Sequence, residues 1–208
     1  MDLAPTADDI PPAVPQARPR LTVLSGPSGV GKDAVIEVIR KQAPWVWISV
    51  SVTTRRKRDY EVEGEHYHFA NRKEFERLVR EGALLEWAEF AGNLYGTPRG
   101  PVEARIAAGI PTLLKIDLQG ARQVREAMPD AQLVFLAPPS REELHRRLVG
   151  RGTEDPDTLR RRLAHADEEL AAEKEFDLTI VNDYLERAAD ELVGLLGSPV
   201  LAAARHHL

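Results

Sequence analysis

The run Gly26-Pro27-Ser28-Gly29-Val30-Gly31-Lys32-Asp33 is a G-x-x-x-x-G-K pattern set between a strand-like apolar stretch and a helical one. Glycines at these places let backbone N–H groups turn inward around phosphate oxygens. The helix that follows adds its positive end, and Lys32 brings a point charge suited to the β- and γ-phosphates of ATP. Gly26 to Asp33 is therefore the expected ATP-binding loop, with Lys32 as its catalytic cation. Position 33 departs from the pattern, because the residue after the lysine is ordinarily a Ser or Thr whose hydroxyl ligates Mg²⁺. Asp33 would reach that metal through a water, and its charge beside phosphate calls for a compensating cation.

Two basic stretches stand out, Arg55-Arg56-Lys57-Arg58 and the seven arginines from Arg141 to Arg162. Most such runs are solvated faces. With a net charge of −5 there is no general electrostatic reason to bind nucleic acid or an anionic membrane, so any anion must be held locally. Taken singly, Tyr67 and Tyr95 read equally well as half-buried packing residues. Glu86, beside Leu84, Leu85 and Trp87, reads as the solvent face of a strand. His66 and His68 lack metal-ligand spacing and are expected to be structural. The chain has no cysteine, so disulfides and thiolate metal sites are excluded.

The elements that must position these residues follow from periodicity. Leu21 to Leu24 is a short strand, Ala34 to Gln42 has helical spacing, and Pro44 stops that helix. Trp47 to Val52 reads as one apolar run. From Tyr60 to Gly96 the pieces become short: His66 to Phe69, a helix over Arg72 to Glu81, and Leu84 to Phe90. Strand and helix then alternate: Thr112 to Ile116, Gly120 to Met128, Gln132 to Leu136, Ser140 to Val149, Pro156 to Glu175, Leu178 to Val181 and Leu185 to Leu196. That order predicts an α/β fold, a parallel sheet covered by helices on both faces. Residues 1–20, with five prolines and three aspartates, read as a disordered tail, and 200–208 as a second tail. Asp2, Asp8 and Asp9 do not suit a secretory signal, and the apolar runs are too short to span a bilayer, so a cytoplasmic protein is expected.

Several motifs in order, Ser49-Val50-Ser51-Val52-Thr53-Thr54-Arg55, Gly64-Glu65-His66-Tyr67-His68-Phe69, Glu86-Trp87-Ala88-Glu89-Phe90, Asn93-Leu94-Tyr95-Gly96-Thr97, Ala137-Pro138-Pro139-Ser140 and Arg151-Gly152-Thr153-Glu154, resemble those of the guanylate kinase family. The resemblance covers about Leu21 to Leu196. It implies a P-loop NTPase core (21–52 and 98–199), an inserted α+β GMP-binding lobe (about 53–97) and a helical lid (about 146–165). It implies transfer of the γ-phosphate of ATP to GMP, with Mg²⁺ as cofactor. By the same resemblance Arg55, Arg58, Tyr67 and Tyr95 hold the GMP phosphate, and Ser51, Glu86 and Thr97 read the guanine. Arg151 and Arg162 join Lys32 and Arg55 as catalytic cations from the lid, with Arg147 as a third lid candidate. Asn182 approaches the adenine, and Asp117 helps order the metal's water shell. Partners are then ATP and GMP, with dGMP open, no nucleic acid and no membrane, in a monomer or homo-oligomer.

One departure remains: the family usually carries an acid where this chain has Lys115. The joint change at 33 and 115 predicts that Asp33 and Lys115 are a compensating pair. Two other readings compete. A Gly-Lys-Asp loop also occurs in ribose bisphosphate kinases of the same core, which would have no need of Glu86 and the tyrosines. Non-catalytic guanylate-kinase-like interaction modules usually lack an intact phosphate loop and the GMP arginines.

Overall fold

The computed structural model describes residues 21–149 and 156–197; the side chains of residues 156–159, 161 and 162 lie outside that description. Strand β1 (Leu21–Ser25) leads through the glycine loop into α1 (Lys32–Gln42). There follow β2 (Trp47–Ile48), β3 (Val52–Thr53), β4 (His68–Phe69), α2 (Arg72–Arg80), β5 (Leu84–Phe90), β6 (Asn93–Pro98) and α3 (Arg99–Ala107). The second half runs β7 (Thr112–Lys115), α4 (Leu118–Ala127), β8 (Gln132–Ala137), α5 (Arg141–Val149), α6 (Pro156–Ala171), a 3₁₀ turn (Ala172–Glu175), β9 (Leu178–Val181) and α7 (Leu185–Gly197).

The larger sheet has the order β2-β7-β1-β8-β9 and every pairing in it is parallel. Alternation along its strands feeds two cores. Leu24, Leu113, Val134 and Leu136 pack with Val35, Ile36 and Ile39 of α1, Leu144 and Leu148 of α5, and Leu192 of α7. Val23, Leu114 and Leu133 face the other way, onto Val102 of α3 and Ala121 and Val124 of α4. Each leucine or valine so buried is worth roughly 2 kcal/mol, and both faces of the sheet are covered, as the strand and helix order predicted. No helix among the described residues is long and apolar enough to cross a membrane.

A second sheet, β4-β3-β6-β5, is mixed. It closes over Val52, Phe75, Leu84 and Leu94, with Phe75 contributed by α2. Its β5–β6 hairpin turns at Ala91 (φ 50°) and Gly92 (φ 76°), the double positive-φ geometry that suits the twist of paired strands.

Two element readings need correction, and one helix had no reading at all. The run Trp47 to Val52 is two strands in two sheets: polar Ser49 and Ser51 mark the passage between them, and Val52 belongs to the small sheet. Only His68 and Phe69 of the stretch from His66 are strand, because His66 Nδ1 accepts the Val62 N–H and closes a turn instead. Helix α3 was not legible, since Gly100 and Pro101 fall in its first turn, where proline is tolerated because its missing N–H would have no helical partner.

Candidate active site

The phosphate loop leaves the carboxyl end of β1, where open α/β sheets place their ligands. Gly26 (φ +145°) passes so close to β8 that a Cβ there would lie 2.3 Å from the Leu136 carbonyl oxygen. At Gly31 (φ +104°) a Cβ would lie 2.7 Å from Asn182 Nδ2. Both glycines are therefore required by space as well as by backbone angle. Asn182, buried just after β9, donates from Nδ2 to the Val30 carbonyl at 2.8 Å, and Arg147 Nη1 donates to the same oxygen at 3.2 Å. Asn182 and Arg147 thus brace the loop from outside. Val30 has its side chain in the core, so what it offers a ligand is backbone.

Lys32 Nζ donates to the carbonyl oxygens of Gly26 and Pro27, at 2.5 and 3.1 Å. Burial lowers its pKa, with Glu169 and Asp33 opposing the fall. Glu169, on α6 and only 6% exposed, accepts the Ser28 backbone N–H at 2.8 Å. No sequence signal pointed to this carboxylate, which lies 141 residues from its partner. Asp33 forms an ion pair with Lys115, whose Nζ donates to Asp33 Oδ1. The pairing predicted from the two departures is present in the fold.

Across the cleft, Arg55 is gripped by Glu61, with Nη1 to Oε2 at 3.0 Å and Nη2 to Oε1 at 2.5 Å. Glu61 also accepts the Arg58 N–H at 2.7 Å. The Arg55 hydrogen bonds, against the opposing effect of burial, hold the Glu61 carboxyl down at about 2. The Arg55 guanidinium lies 5.4 Å from the centre of the Tyr67 ring, and Tyr67 meets Tyr95 edge-on at 6.1 Å. Arg58 Nη1 donates to the Tyr60 hydroxyl at 2.8 Å. Glu61 was missed because an acid near a basic block reads as ordinary surface pairing until folding buries it.

Glu86 is not on a solvent face: it is 4% exposed. Thr97 Oγ1 donates to its Oε1 at 2.6 Å, so Thr97 reaches the cleft through Glu86. Burial pushes the Glu86 carboxyl up to about 7, helped by Asp117 and opposed by the Thr97 bond. On its other side a Cβ at Gly120 would lie 2.4 Å from Glu86 Oε2, so glycine in α4 makes room for the carboxylate.

One cleft of about 480 Å³ is lined by Lys32, Asp33, Ser51, Tyr67, Glu86 and Tyr95 together. An adjoining hollow is lined by Arg55 and Arg58 with Tyr67, Tyr95 and Lys115. Arg151 and the side chain of Arg162 lie outside the described residues. Among the described residues no group of three His, Cys, Asp or Glu converges to hold a metal unaided. Asp33 and Asp117 line the cleft beside Lys32. Such a donor set fits a Mg²⁺ ion carried on nucleotide phosphates and keeping several waters.

The arrangement suits two phosphate groups approaching from opposite sides, with a buried carboxyl at one end. The chain is similar to known proteins along most of its length. A profile described as guanylate kinase matches residues 18–198. A guanylate kinase of Streptomyces coelicolor is 61% identical over 193 residues, covering 93% of this chain and 98% of that protein. One of Thermobifida fusca is 63% identical over 180 residues, covering 86% and 92%. The crystal structure of a guanylate kinase from Anaplasma phagocytophilum aligns with a TM-score of 0.70 at 37% identity, covering 86% of this chain and 85% of that one. With a family match along most of its length, a loop and buried carboxyl around one cleft, and an arginine cluster in the hollow beside it, this chain belongs to the guanylate kinase family.

Proposed function

We infer that the chain transfers the γ-phosphate of ATP to GMP, giving ADP and GDP. The observation that carries this reading is the buried, Thr97-anchored carboxyl of Glu86 opening onto the same cleft as the phosphate loop. Guanine offers N–H donors at N1 and N2, which an ionised Glu86 accepts together. Adenine offers a bare acceptor at N1, and a buried polar mismatch of that kind discriminates by about 10⁴-fold.

The phosphate of GMP is largely ionised at neutral pH, so the attacking oxygen needs no dedicated base. Catalysis is then alignment and charge neutralisation. Lys32 and the loop N–H groups take the ATP phosphates. Arg55, Arg58, Tyr67 and Tyr95 take the acceptor phosphate, while Ser51, Glu86 and Thr97 sort the base. The family resemblance alone assigns Arg151 and Arg162 to the transferring phosphoryl group, as part of a lid over 146–165, and Asn182 to the neighbourhood of the adenine. Asp33 and Asp117 would hold a Mg²⁺ ion through waters, and the ion would supply charge neutralisation for the ATP phosphates. A cytoplasmic enzyme using free nucleotides is the matching setting. The Asp33–Lys115 ion pair supports this reading over a ribose bisphosphate kinase, because it accounts for an acid after the loop lysine without a different substrate.

The test is ADP release by purified protein with GMP, dGMP, AMP or a ribose phosphate as acceptor. Rapid turnover with GMP and at least about 10³-fold less with AMP is expected. Equal use of the two purines, or of the sugar phosphate alone, would overturn the reading.

A further inference from the structure

Neutralising Asp33 explains why Lys115 is basic, but not where it stands. Lys115 ends β7, which runs between β1 and β2 in the sheet, at the carboxyl edge where open α/β sheets bind ligands. Its Nζ lies 5.9 Å from the centre of the Tyr67 ring, and it lines both the phosphate-loop cleft and the hollow with Arg55 and Arg58. Arg55 has its fork engaged by the buried Glu61, and Arg58 has an N–H on the Tyr60 hydroxyl. Lys115 is held otherwise. Its ion-pair partner, Asp33, has a side chain 86% exposed, and an ion pair with so exposed an acid is worth only ~0–1 kcal/mol. A phosphate monoester offers close to two negative charges and three acceptor oxygens, so it competes well for the same ammonium.

We propose that Lys115 binds the phosphate of the acceptor nucleotide, exchanging Asp33 for a phosphate oxygen when the monophosphate enters. This rests on the guanylate kinase reading and adds to it a cation supplied by the core sheet, on the side of the acceptor phosphate that faces the loop. Arg40 faces the same hollow from α1.

The discriminating experiment is a double-mutant cycle read by direct binding of GMP and of guanosine, with ADP release followed in parallel. Lys115→Met is expected to weaken GMP by about tenfold or more, the size of one lost charge-assisted hydrogen bond, and to leave guanosine within about twofold. Lys115→Arg should retain most GMP affinity. If Met at this position impairs folding, Lys115→Gln supplies the same comparison. The decisive measurement is Lys115→Met made in an Asp33→Ser background. A lysine that serves phosphate still costs about tenfold there, whereas a lysine that serves only Asp33 becomes silent, and that silence would overturn the proposal. Equal losses of GMP and guanosine would overturn it too, since the effect would then lie in the base pocket. A wild-type chain that binds GMP no better than AMP instead sinks the reading on which the proposal stands.

Discussion

Glu86 and Glu61 are two buried carboxyls in one lobe with opposite electrostatic fates. Glu86 has its folded-state pKa raised from 4.5 to about 7, mainly by burial. The native state therefore binds the extra proton between those values, and stability falls as pH rises through that window. Glu86→Gln removes the titration, so the variant should gain about 3 kcal/mol over wild type between pH 5 and pH 8, measurable by urea unfolding. The same variant isolates the functional side. On the proposed reading guanine takes the ionised carboxylate, so GMP affinity for wild type should drop as pH falls from 8 to 6. Part of that drop belongs to the nucleotide's own phosphate, which titrates near 6, and only this part should persist in Glu86→Gln. Glu61 runs the other way: held at about 2 by Arg55, it lends stability above its unfolded value of 4.5 that is lost as pH falls toward 2. Arg55→Met leaves that buried acid unpaired and should cost about 3 kcal/mol as well as sharply raising the GMP requirement, with ATP binding spared. Arg55→Met with Glu61→Leu should restore stability and leave GMP binding lost, and recovery of both would contradict the assignment of Arg55. The arginine was legible from its motif, but the acid that grips it was not.

At the scale of elements, the Glu86 end of the cleft is a seam between β5 and α4. Gln123 of α4 donates to the Trp87 carbonyl at 2.7 Å and accepts the Trp87 N–H at 3.1 Å, while Asp117 caps the helix by accepting the Gly120 N–H at 2.8 Å. The seam sets Gly120 against Glu86. Gly120→Ala should ordinarily favour a helix by about 1 kcal/mol. Here the new methyl meets a carboxylate already tied to Thr97, so GMP affinity should fall by about tenfold or more while ATP binding holds. An unchanged GMP titration would show that the carboxylate has room to move. The strands and most helices were readable from period-two and helical spacing because each buries one face against the sheet. What periodicity could not convey was contact between elements: that Gly120 abuts Glu86, that Ser49 and Ser51 mark a change of sheet, and that α3 begins over a glycine and a proline. Those depend on residues far apart in the chain, and no local pattern encodes them.

Taken whole, the molecule gathers chemistry from distant segments onto one edge of a parallel sheet. The loop comes from the first strand, Lys115 and Asp117 from the middle, and Glu169 and Asn182 from the last third. The loop and the segments that resemble the family's motifs were legible because each is a contiguous run. The braces were not: Glu169 sits in a plain helical context, and Asn182 was picked out for the adenine rather than as a brace of the loop. His165, one turn before Glu169 on α6, also stacks at 6.4 Å with Phe90 from the hairpin tip, so this helix touches both banks of the cleft. The Ser28 amide that Glu169 receives then becomes a built-in isotope label. Its exchange with deuterium should be slow, and should quicken by about tenfold or more in Glu169→Ala while amides deep in α7 keep their pace. A single backbone proton would in that way report, without dye or tag, how firmly the far end of the chain is seated on its beginning.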